Sequence, residues 1–308
     1  MLSKSDKIIF SIIGILCLLT IIFWSNLKTV VAGKPATGQQ EIKQDKKKDK
    51  KDKQNPSQTD PGISITQKWE MPANLNEISG LATIDETHLA CVQDELGSIF
   101  IFNTSTGKIE KEIPFGGAGD YEGISIVGPT AWVIRSDGRL FEIENYASKP
   151  AVKEHNTPFT SKSNVEGICY DEKTNRLLIA IKGKEQNSTE YKGIYAFNLL
   201  TKKIISDPVH KIDLTHDMWK NVKGKNKIQP SGLDVHPVNG DIYIVDGPGS
   251  RLFIMDNKGA NKKLYQLSNK DFPQPEGITF TASAQLYVSN EGGAGTGNIL
   301  KLSLTELK

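Results

Sequence analysis

Cysteine is scarce in this sequence, with three residues in a chain of 308. No two cysteines form a CxxC pair, so there is no redox or zinc-binding signature. Cys91 and Cys169 fall in apolar runs typical of strands, and we expect both to be buried free thiols rather than a disulfide. The sequence also lacks a GxSxG nucleophile motif, and its five histidines show no metal-ligand spacing.

Most of the chain carries no excess of positive charge. Residues 1–60 hold 11 lysines and 6 acidic residues, which leaves 27 basic and 30 acidic residues, a net charge of −3, for residues 61–308. The whole-chain charge of +2 therefore reflects the N-terminal region alone. Residues 61–308 therefore lack the excess of basic residues that is typical of nucleic-acid-binding domains, and we expect no nucleic-acid partner.

Long hydrophobic runs are absent except for residues 8–24, which contain no charged residue. This run predicts a single transmembrane anchor after a short cytoplasmic segment, residues 1–7, with a cleaved signal peptide as the alternative. Residues 25–61 are lysine-rich and predict a disordered tether. Since the positive-inside rule weights mainly the residues flanking the span, we expect residues 62–308 to face the periplasm or exterior of the cell membrane.

A repeated motif occupies the rest of the chain. A glycine preceded by serine or glutamate recurs as EISGLATI, DYEGISIV, NVEGICYD, QPSGLDVH and QPEGITFT. The glycines are Gly80, Gly123, Gly167, Gly232 and Gly277, so the steps are 43, 44, 65 and 45 residues. A period of about 40–50 residues is typical of propeller blades with four strands each.

Each repeat contains further short apolar strands separated by turns rich in glycine, asparagine and aspartate. The pattern predicts an all-β protein, a five-bladed β-propeller. The 65-residue step indicates an insertion, with a sixth, degenerate blade as the alternative. The fifth repeat is one strand short, and residues 63–71 supply a spare strand, so we expect the N-terminal strand to complete the last blade and close the ring.

The series NEISGLA, QDELG, GDYEGI, SDGRLFEI, EGICYD, QPSGLDVHP, QPEGITF and SNEGG resembles the SdiA-regulated (YjiK-like) family of membrane-anchored bacterial β-propeller proteins. The resemblance covers about residues 63–303 and does not include the lysine-rich tether. It implies a periplasm-facing propeller on an N-terminal anchor, with an undefined activity.

Two sets of polar residues should meet at one mouth of such a ring, because the inner strand of a blade starts at the face to which the second strand returns. The residues before the glycines are Ser79, Glu122, Glu166, Ser231 and Glu276. The second strands end at Gln93, Arg135, Lys182, Asp246 and Asn290, with Asp94 and Glu291 one place further on. We therefore expect Arg135, Lys182, Ser231, Asp246, Asn290 and Glu291 to bind a ligand.

Converging carboxylates require neutralisation, by Arg135 and Lys182, by a bound cation or by protons. Oxygen donors of this kind suit calcium, with Glu122, Glu166 and Glu276 as the metal ligands. The alternative is structural: the glycines fit a crowded centre, and the glutamates cap neighbouring strands with hydrogen bonds.

Two functions fit this pattern. The first is a membrane-anchored extracytoplasmic binding module for a small molecule or a protein. The alternative is a metal-dependent hydrolase of the lactonase or phytase type, with Glu122 or Glu166 as general base and Arg135 and Lys182 facing an anionic substrate. No complete catalytic motif is present, which favours the binding module.

Overall fold

The computed structural model describes residues 58–185, 188–223 and 226–305, and these residues form five antiparallel sheets of four strands each. Each sheet is one blade, so the prediction of an all-β, five-bladed propeller is confirmed. Blade 1 contains β2 (Ile78–Thr83), β3 (His88–Gln93), β4 (Ser98–Asn103) and β5 (Lys108–Pro114). Blade 2 contains β6 (Tyr121–Val127), β7 (Thr130–Arg135), β8 (Leu140–Glu144) and β9 (Ala151–His155).

The remaining blades follow the same order from the inner to the outer strand. Blade 3 contains β10 (Val165–Asp171), β11 (Arg176–Ile181), β12 (Tyr191–Asn198) and β13 (Lys203–Asp213). Blade 4 contains β14 (Pro230–Val235), β15 (Ile242–Asp246), β16 (Arg251–Met255) and β17 (Asn261–Gln266). Blade 5 contains β18 (Pro275–Phe280), β19 (Leu286–Asn290), β20 (Asn298–Leu304) and, outermost, β1 (Ile63–Glu70). Short 3₁₀ helices cover Ala73–Leu75, Glu172–Thr174 and Asp217–Trp219.

The outer strand of blade 5 comes from the other end of the folded region. Strand β1 pairs antiparallel with β20, from Ile63 opposite Leu304 to Glu70 opposite Asn298. Two further contacts join the chain before β1 to blade 4 and its following loop: Asp60 N donates to Gln266 O at 2.8 Å, and Ser268 N donates to Thr59 Oγ1 at 3.1 Å.

The hydrophobic core is divided into five clusters, and each cluster lies between two neighbouring blades. One example joins blades 5 and 1, where Tyr287 and Ile299 pack with Leu81, Cys91 and Phe100. Cys91 and Cys169 belong to different clusters and are both buried free thiols, as predicted. Stability is therefore spread around the ring, because each blade buries an apolar face against both neighbours.

The long step between the third and fourth glycines is an insertion, since no sixth sheet occurs among the described residues. Part of it is the 11-residue strand β13, and part is the segment around the 3₁₀ helix that ends at Trp219. Trp219 is buried, its ring centroid lies 5.3 Å from that of Phe253, and its Nε1 donates to Asp213 O at 2.7 Å. The inserted segment therefore packs against blade 4.

The expected anchor, residues 8–24, and most of the expected tether lie outside the described residues. Within the described part of the chain, no helix is long and apolar enough to cross a membrane.

Candidate functional site: an acidic mouth

One end of the propeller axis, which we call the acidic mouth, is formed where the inner strands begin. In all five blades the pairing of the inner and second strands shifts register at the start of the inner strand, at the serine or glutamate and the glycine that follows it. An irregularity of this kind turns a side chain away from the regular alternation of a strand, and such bulges are common next to functional sites. The bulged residues are Ser79, Glu122, Glu166, Ser231 and Glu276.

The glycines of the motif allow neighbouring inner strands to touch. A Cβ atom on Gly277 would lie 2.6 Å from the carbonyl oxygen of Ser79 in the next blade. Cβ atoms on Gly123 and Gly232 would press still closer on the carbonyl oxygens of Glu166 and Glu276. Each of these glycines therefore faces the backbone of the residue that precedes the next glycine of the ring. The channel left along the axis has a volume of only about 10 Å³.

Lys182 is the cation of the acidic mouth. Its Nζ lies 2.7 Å from Glu166 Oε2 in its own blade and 3.7 Å from Glu276 Oε1 in blade 5, which is not adjacent in the ring. All three side chains are largely buried. Burial lowers the pKa of Lys182, but the nearby Glu276 and Glu166 outweigh this effect and raise it above its ordinary value. The ammonium group therefore stays charged and bridges two blades.

Neighbouring polar groups hold the two glutamates in place. Asn164 Nδ2 donates to Glu166 Oε1 at 2.7 Å. The Ser231 hydroxyl accepts from Gly247 N at 3.1 Å and also hydrogen-bonds the Glu276 carboxyl, which links blades 4 and 5. Burial, opposed in part by Lys182, raises the pKa of Glu166 to about 8 and also raises that of Glu276. Burial therefore disfavours the ionised form of both glutamates, and Lys182 offsets only part of this effect.

Glu122 differs from the other two glutamates because it forms no ion pair among the described residues. Burial, followed by the negative charges of Glu166, Asp120 and Glu276, raises its pKa to about 10. It is half-buried and carries a proton at neutral pH. A carboxyl group in this state is a hydrogen-bond donor, not a general base.

A second group of carboxyls lies on the rim of the acidic mouth, between blades 5 and 1. Burial and a hydrogen bond with Glu77 raise the pKa of Glu291 to about 8. The pKa of Asp94 is raised by burial and by the charges of Glu77, Glu95 and Asp120, and its buried Oδ1 has no hydrogen-bond partner. No basic side chain in the described segments forms an ion pair with Glu291 or Asp94.

Three residues expected to bind a ligand have other partners. Arg135 lies at the predicted end of β7, but its guanidinium pairs with Asp137, at 2.6 Å from NH2 to Oδ2, and not with the glutamates. Asp246 is buried, pairs with Arg251 at 2.6 Å and accepts from Gly249 N, which closes the turn after β15. Asn290 is fully buried and donates to Asn298 Oδ1 at 3.0 Å.

Several residues of the acidic mouth were not predicted from the repeat, because they lie outside the two sets of aligned positions. Asn164 and Glu77 each lie two residues before a bulged residue, and only the fold shows that they contact Glu166 and Glu291. Ser289 accepts from Gly277 N at 2.8 Å and donates to Ser79 O at 2.9 Å, which joins blades 5 and 1. The sequence alignment of the second strands did not identify Ser289, because the aligned position in blade 5 is the next residue, Asn290.

The three glutamates proposed as calcium ligands do not form a ready metal site. No group of three or more His, Cys, Asp or Glu side chains among the described residues is arranged to hold a metal ion. The Lys182 ammonium instead lies close to both Glu166 and Glu276. The donor chemistry suits calcium, but an ion could reach these oxygens only if Lys182 moved aside.

The fold and this site define a five-bladed β-propeller with a carboxylate-rich mouth at one end of its axis. The chain belongs to the SdiA-regulated family, whose model matches residues 57–293. A search of curated protein sequences found no match.

The comparison with solved structures relates this fold to a protein of very different sequence. Glutaminyl cyclase from Myxococcus xanthus is 12% identical, with a TM-score of 0.56, and the match covers 81% of this chain and 98% of that one. The PQQ-bound aldose sugar dehydrogenase from Streptomyces coelicolor is 13% identical, with a TM-score of 0.48, covering 82% of this chain and 100% of that one. At 12% identity the similarity to the cyclase shows the fold alone, and the TM-score of 0.48 for the dehydrogenase carries no argument about this chain.

Proposed function

We propose that this protein is a membrane-tethered, extracytoplasmic binding module, and that its acidic mouth is the binding site for a cationic ligand. The propeller supplies a rigid ring, and the bulged start of each inner strand brings one side chain from every blade to the same end of the axis. A site assembled from all five blades exists only in the folded ring.

The observation that carries the proposal is the excess of carboxyl groups over cations in the acidic mouth. Five carboxyl groups of the mouth have raised pKa values: Glu122, Glu166, Glu276, Asp94 and Glu291. Among the described residues, Lys182 is the only basic side chain that forms an ion pair with any of them. A raised pKa means that burial, together with nearby negative charge, disfavours the ionised form of each carboxyl. An incoming cation would supply the missing charge and displace the protons.

Calcium is the cation we propose to test first, because carboxylate and hydroxyl oxygens are its usual ligands. Glu166 and Glu276 would hold the ion after Lys182 swings out of the mouth. Binding would require deprotonation of Glu166, so the affinity for calcium should rise with pH through about 8, the pKa of Glu166.

The test is calorimetric titration of calcium into the full chain in detergent, purified with chelator, at pH 6 and pH 8. We expect at least tenfold tighter binding at pH 8 and at least tenfold weaker binding in the double variant Glu166→Gln/Glu276→Gln. Glu112→Gln, on the exposed outer strand β5, is the matched control and should bind as wild type does. A wild-type protein that does not respond to calcium at either pH would end the calcium proposal.

The hydrolase alternative has less support. Burial raises the pKa of both candidate bases, Glu122 and Glu166, which disfavours the ionised form that a general base needs, and the guanidinium of Arg135 is paired with Asp137. Turnover of a lactone or a phosphate ester by the calcium-loaded protein would reverse this ranking.

The tether and location rest on the sequence of residues 1–61. We propose that residues 8–24 anchor the chain in the cell membrane and that the propeller faces the periplasm or exterior. Protease added to spheroplasts should then release a soluble fragment by cutting within the lysine-rich segment. Protection of the propeller from protease would place it in the cytoplasm.

A further inference from the structure

The opposite end of the axis contains a second cavity, which we call the lower cavity. Its volume is about 590 Å³, within the range of small-molecule sites, and the 10 Å³ channel separates it from the acidic mouth. Five aliphatic residues line both the channel and the inner end of the lower cavity. Each directly follows a motif glycine: Leu81, Ile124, Ile168, Leu233 and Ile278. The lower cavity is therefore an independent site with an apolar base.

Asp234, two residues after a motif glycine, places a carboxylate deep in the lower cavity. Its Oδ2 accepts from Phe280 N at 2.7 Å and from Thr279 Oγ1 at 3.1 Å, and its Oδ1 accepts from Val235 N at 2.8 Å. An ionised carboxylate offers about four acceptor positions. These three donors satisfy both positions on Oδ2 and one on Oδ1, which leaves one position on Oδ1 for a ligand. The residue is half-buried, so only part of its surface faces the cavity that it lines.

No basic side chain in the described part of the chain forms an ion pair with Asp234. Burial raises the pKa of this carboxyl to about 6, even though three hydrogen bonds oppose the shift. A buried carboxylate without a counter-charge is costly, and a ligand that brought a positive charge would remove that cost.

Among the other titratable groups of the lower cavity, the arginine is paired and the two histidines have lowered pKa values, while Glu172 and Lys173 are exposed to solvent. Arg176 Nε contacts Asp171 Oδ2 at 3.1 Å, and the pKa of His210 is lowered by burial and by Arg176. His236 has a pKa lowered by burial, and its Nδ1 accepts from Val238 N at 3.2 Å. Burial and the charge of Asp234 raise the pKa of Cys169. The remaining titratable residues lining the cavity are Tyr170, Glu172 and Lys173.

We propose that the lower cavity binds a small organic ammonium ion with an apolar body. The ammonium group would donate to the open acceptor position on Asp234 Oδ1, and the body would lie against the aliphatic base and the aromatic wall. That wall includes Phe280, whose ring centroid is 4.9 Å from that of His236. An anionic ligand would meet Asp234 and Asp171. Of the two basic residues in the lining, Arg176 is held by Asp171 and Lys173 is exposed to solvent.

The experiment is calorimetric titration of the full chain with benzylammonium, benzyl alcohol and benzoate at pH 7.5. Benzylammonium should bind at least tenfold more tightly than the other two probes, because they have the same ring without the positive charge. Asp234→Asn should weaken benzylammonium binding at least tenfold. Asp256→Asn, which changes an exposed turn carboxylate, is the matched control and should leave the affinity unchanged.

A second measurement needs no variant in the lower cavity. Benzylammonium keeps its charge between pH 5 and pH 7.5, whereas Asp234 loses its charge as the pH falls through about 6, so wild-type affinity should drop at least fivefold at pH 5. The double variant Glu166→Gln/Glu276→Gln separates the two ends of the axis, because an ammonium bound in the acidic mouth would be lost there. Equal binding of all three probes, pH-independent binding, or loss of binding in the mouth variant alone would overturn the proposal.

Discussion

The two ends of the propeller axis are built from the same five inner strands but differ in width and in how their carboxyls pair with cations. At the acidic mouth, bulged residues place several carboxyls around Lys182, and the axis narrows to a 10 Å³ channel. At the lower end there is a 590 Å³ cavity, where Asp234 forms no ion pair with any basic side chain of the described residues. The difference shows that the charges and the width of the axis are set separately at the two ends, although the same sequence repeat forms both ends.

Removal of β1 should weaken both ends alike, because the ring is common to them. Deleting residues 62–71 strips blade 5 of its outer strand and exposes an edge on β20. We expect a loss on the order of 5 kcal/mol or more, seen as a melting temperature lower by roughly 10–20 °C. Deletion of residues 1–57 is the control. Equal melting temperatures for the two truncations would mean that β1 does not close the ring.

Gly123→Ala should disturb the narrow part of the axis that separates the two ends. The added methyl would press on the Glu166 carbonyl of the next blade, and we expect a destabilisation of about 3–5 kcal/mol in denaturant unfolding. Gly117→Ala, where a Cβ would meet nothing within 4 Å, should be nearly neutral. A similar midpoint for both variants would show that the inner strands can move apart easily.

Lys182→Met should affect the acidic mouth alone. It leaves Glu166 and Glu276 without their cation, so both pKa values rise further. The loss of stability should be about 2–4 kcal/mol at pH 9, where the carboxyls ionise freely in the unfolded chain but not in the folded variant, and small at pH 5, where they stay protonated in the folded state. Arg135→Met, whose partner Asp137 is more exposed, should cost about 1 kcal/mol or less. Equal costs for the two variants would mean that Lys182 does not bridge the mouth.

Glu122→Gln should stabilise the protein, and the gain should depend on pH. A carboxyl whose pKa is raised to about 10 in the folded state binds its proton more tightly there than in the unfolded chain. Its contribution to stability is therefore fully present below about pH 4.5 and is lost as the pH rises toward 10. The glutamine variant avoids this loss, and we expect it to be about 1–3 kcal/mol more stable than wild type at pH 8 and equal at pH 4. Denaturant curves at both pH values would check the sign, and lower stability at pH 8 would contradict it.

The repeat predicted much of the mouth because its geometry is local. A residue next to a motif glycine, or at the end of a second strand, must lie near the start of an inner strand in any blade of this kind. Lys182, Glu166 and Glu276 were identified in this way. The partners of Arg135 and Asp246 were not, because Asp137 lies in the turn after β7 and Arg251 is the first residue of β16, positions whose side chains the repeat does not specify.

By itself, the sequence determined the number of blades, the strands of each blade and the end of the axis at which the glutamates gather. A fixed period and alternating apolar residues are enough for this, since they reflect contacts within a blade and between successive blades. Only the tertiary structure decided which carboxyls have a counter-charge, because the reach of Lys182 to Glu276 crosses between blades that are far apart in sequence. It also decided that Asp234 lies in a cavity, because a cavity is the space left when all five blades have packed, and no single repeat encodes that space.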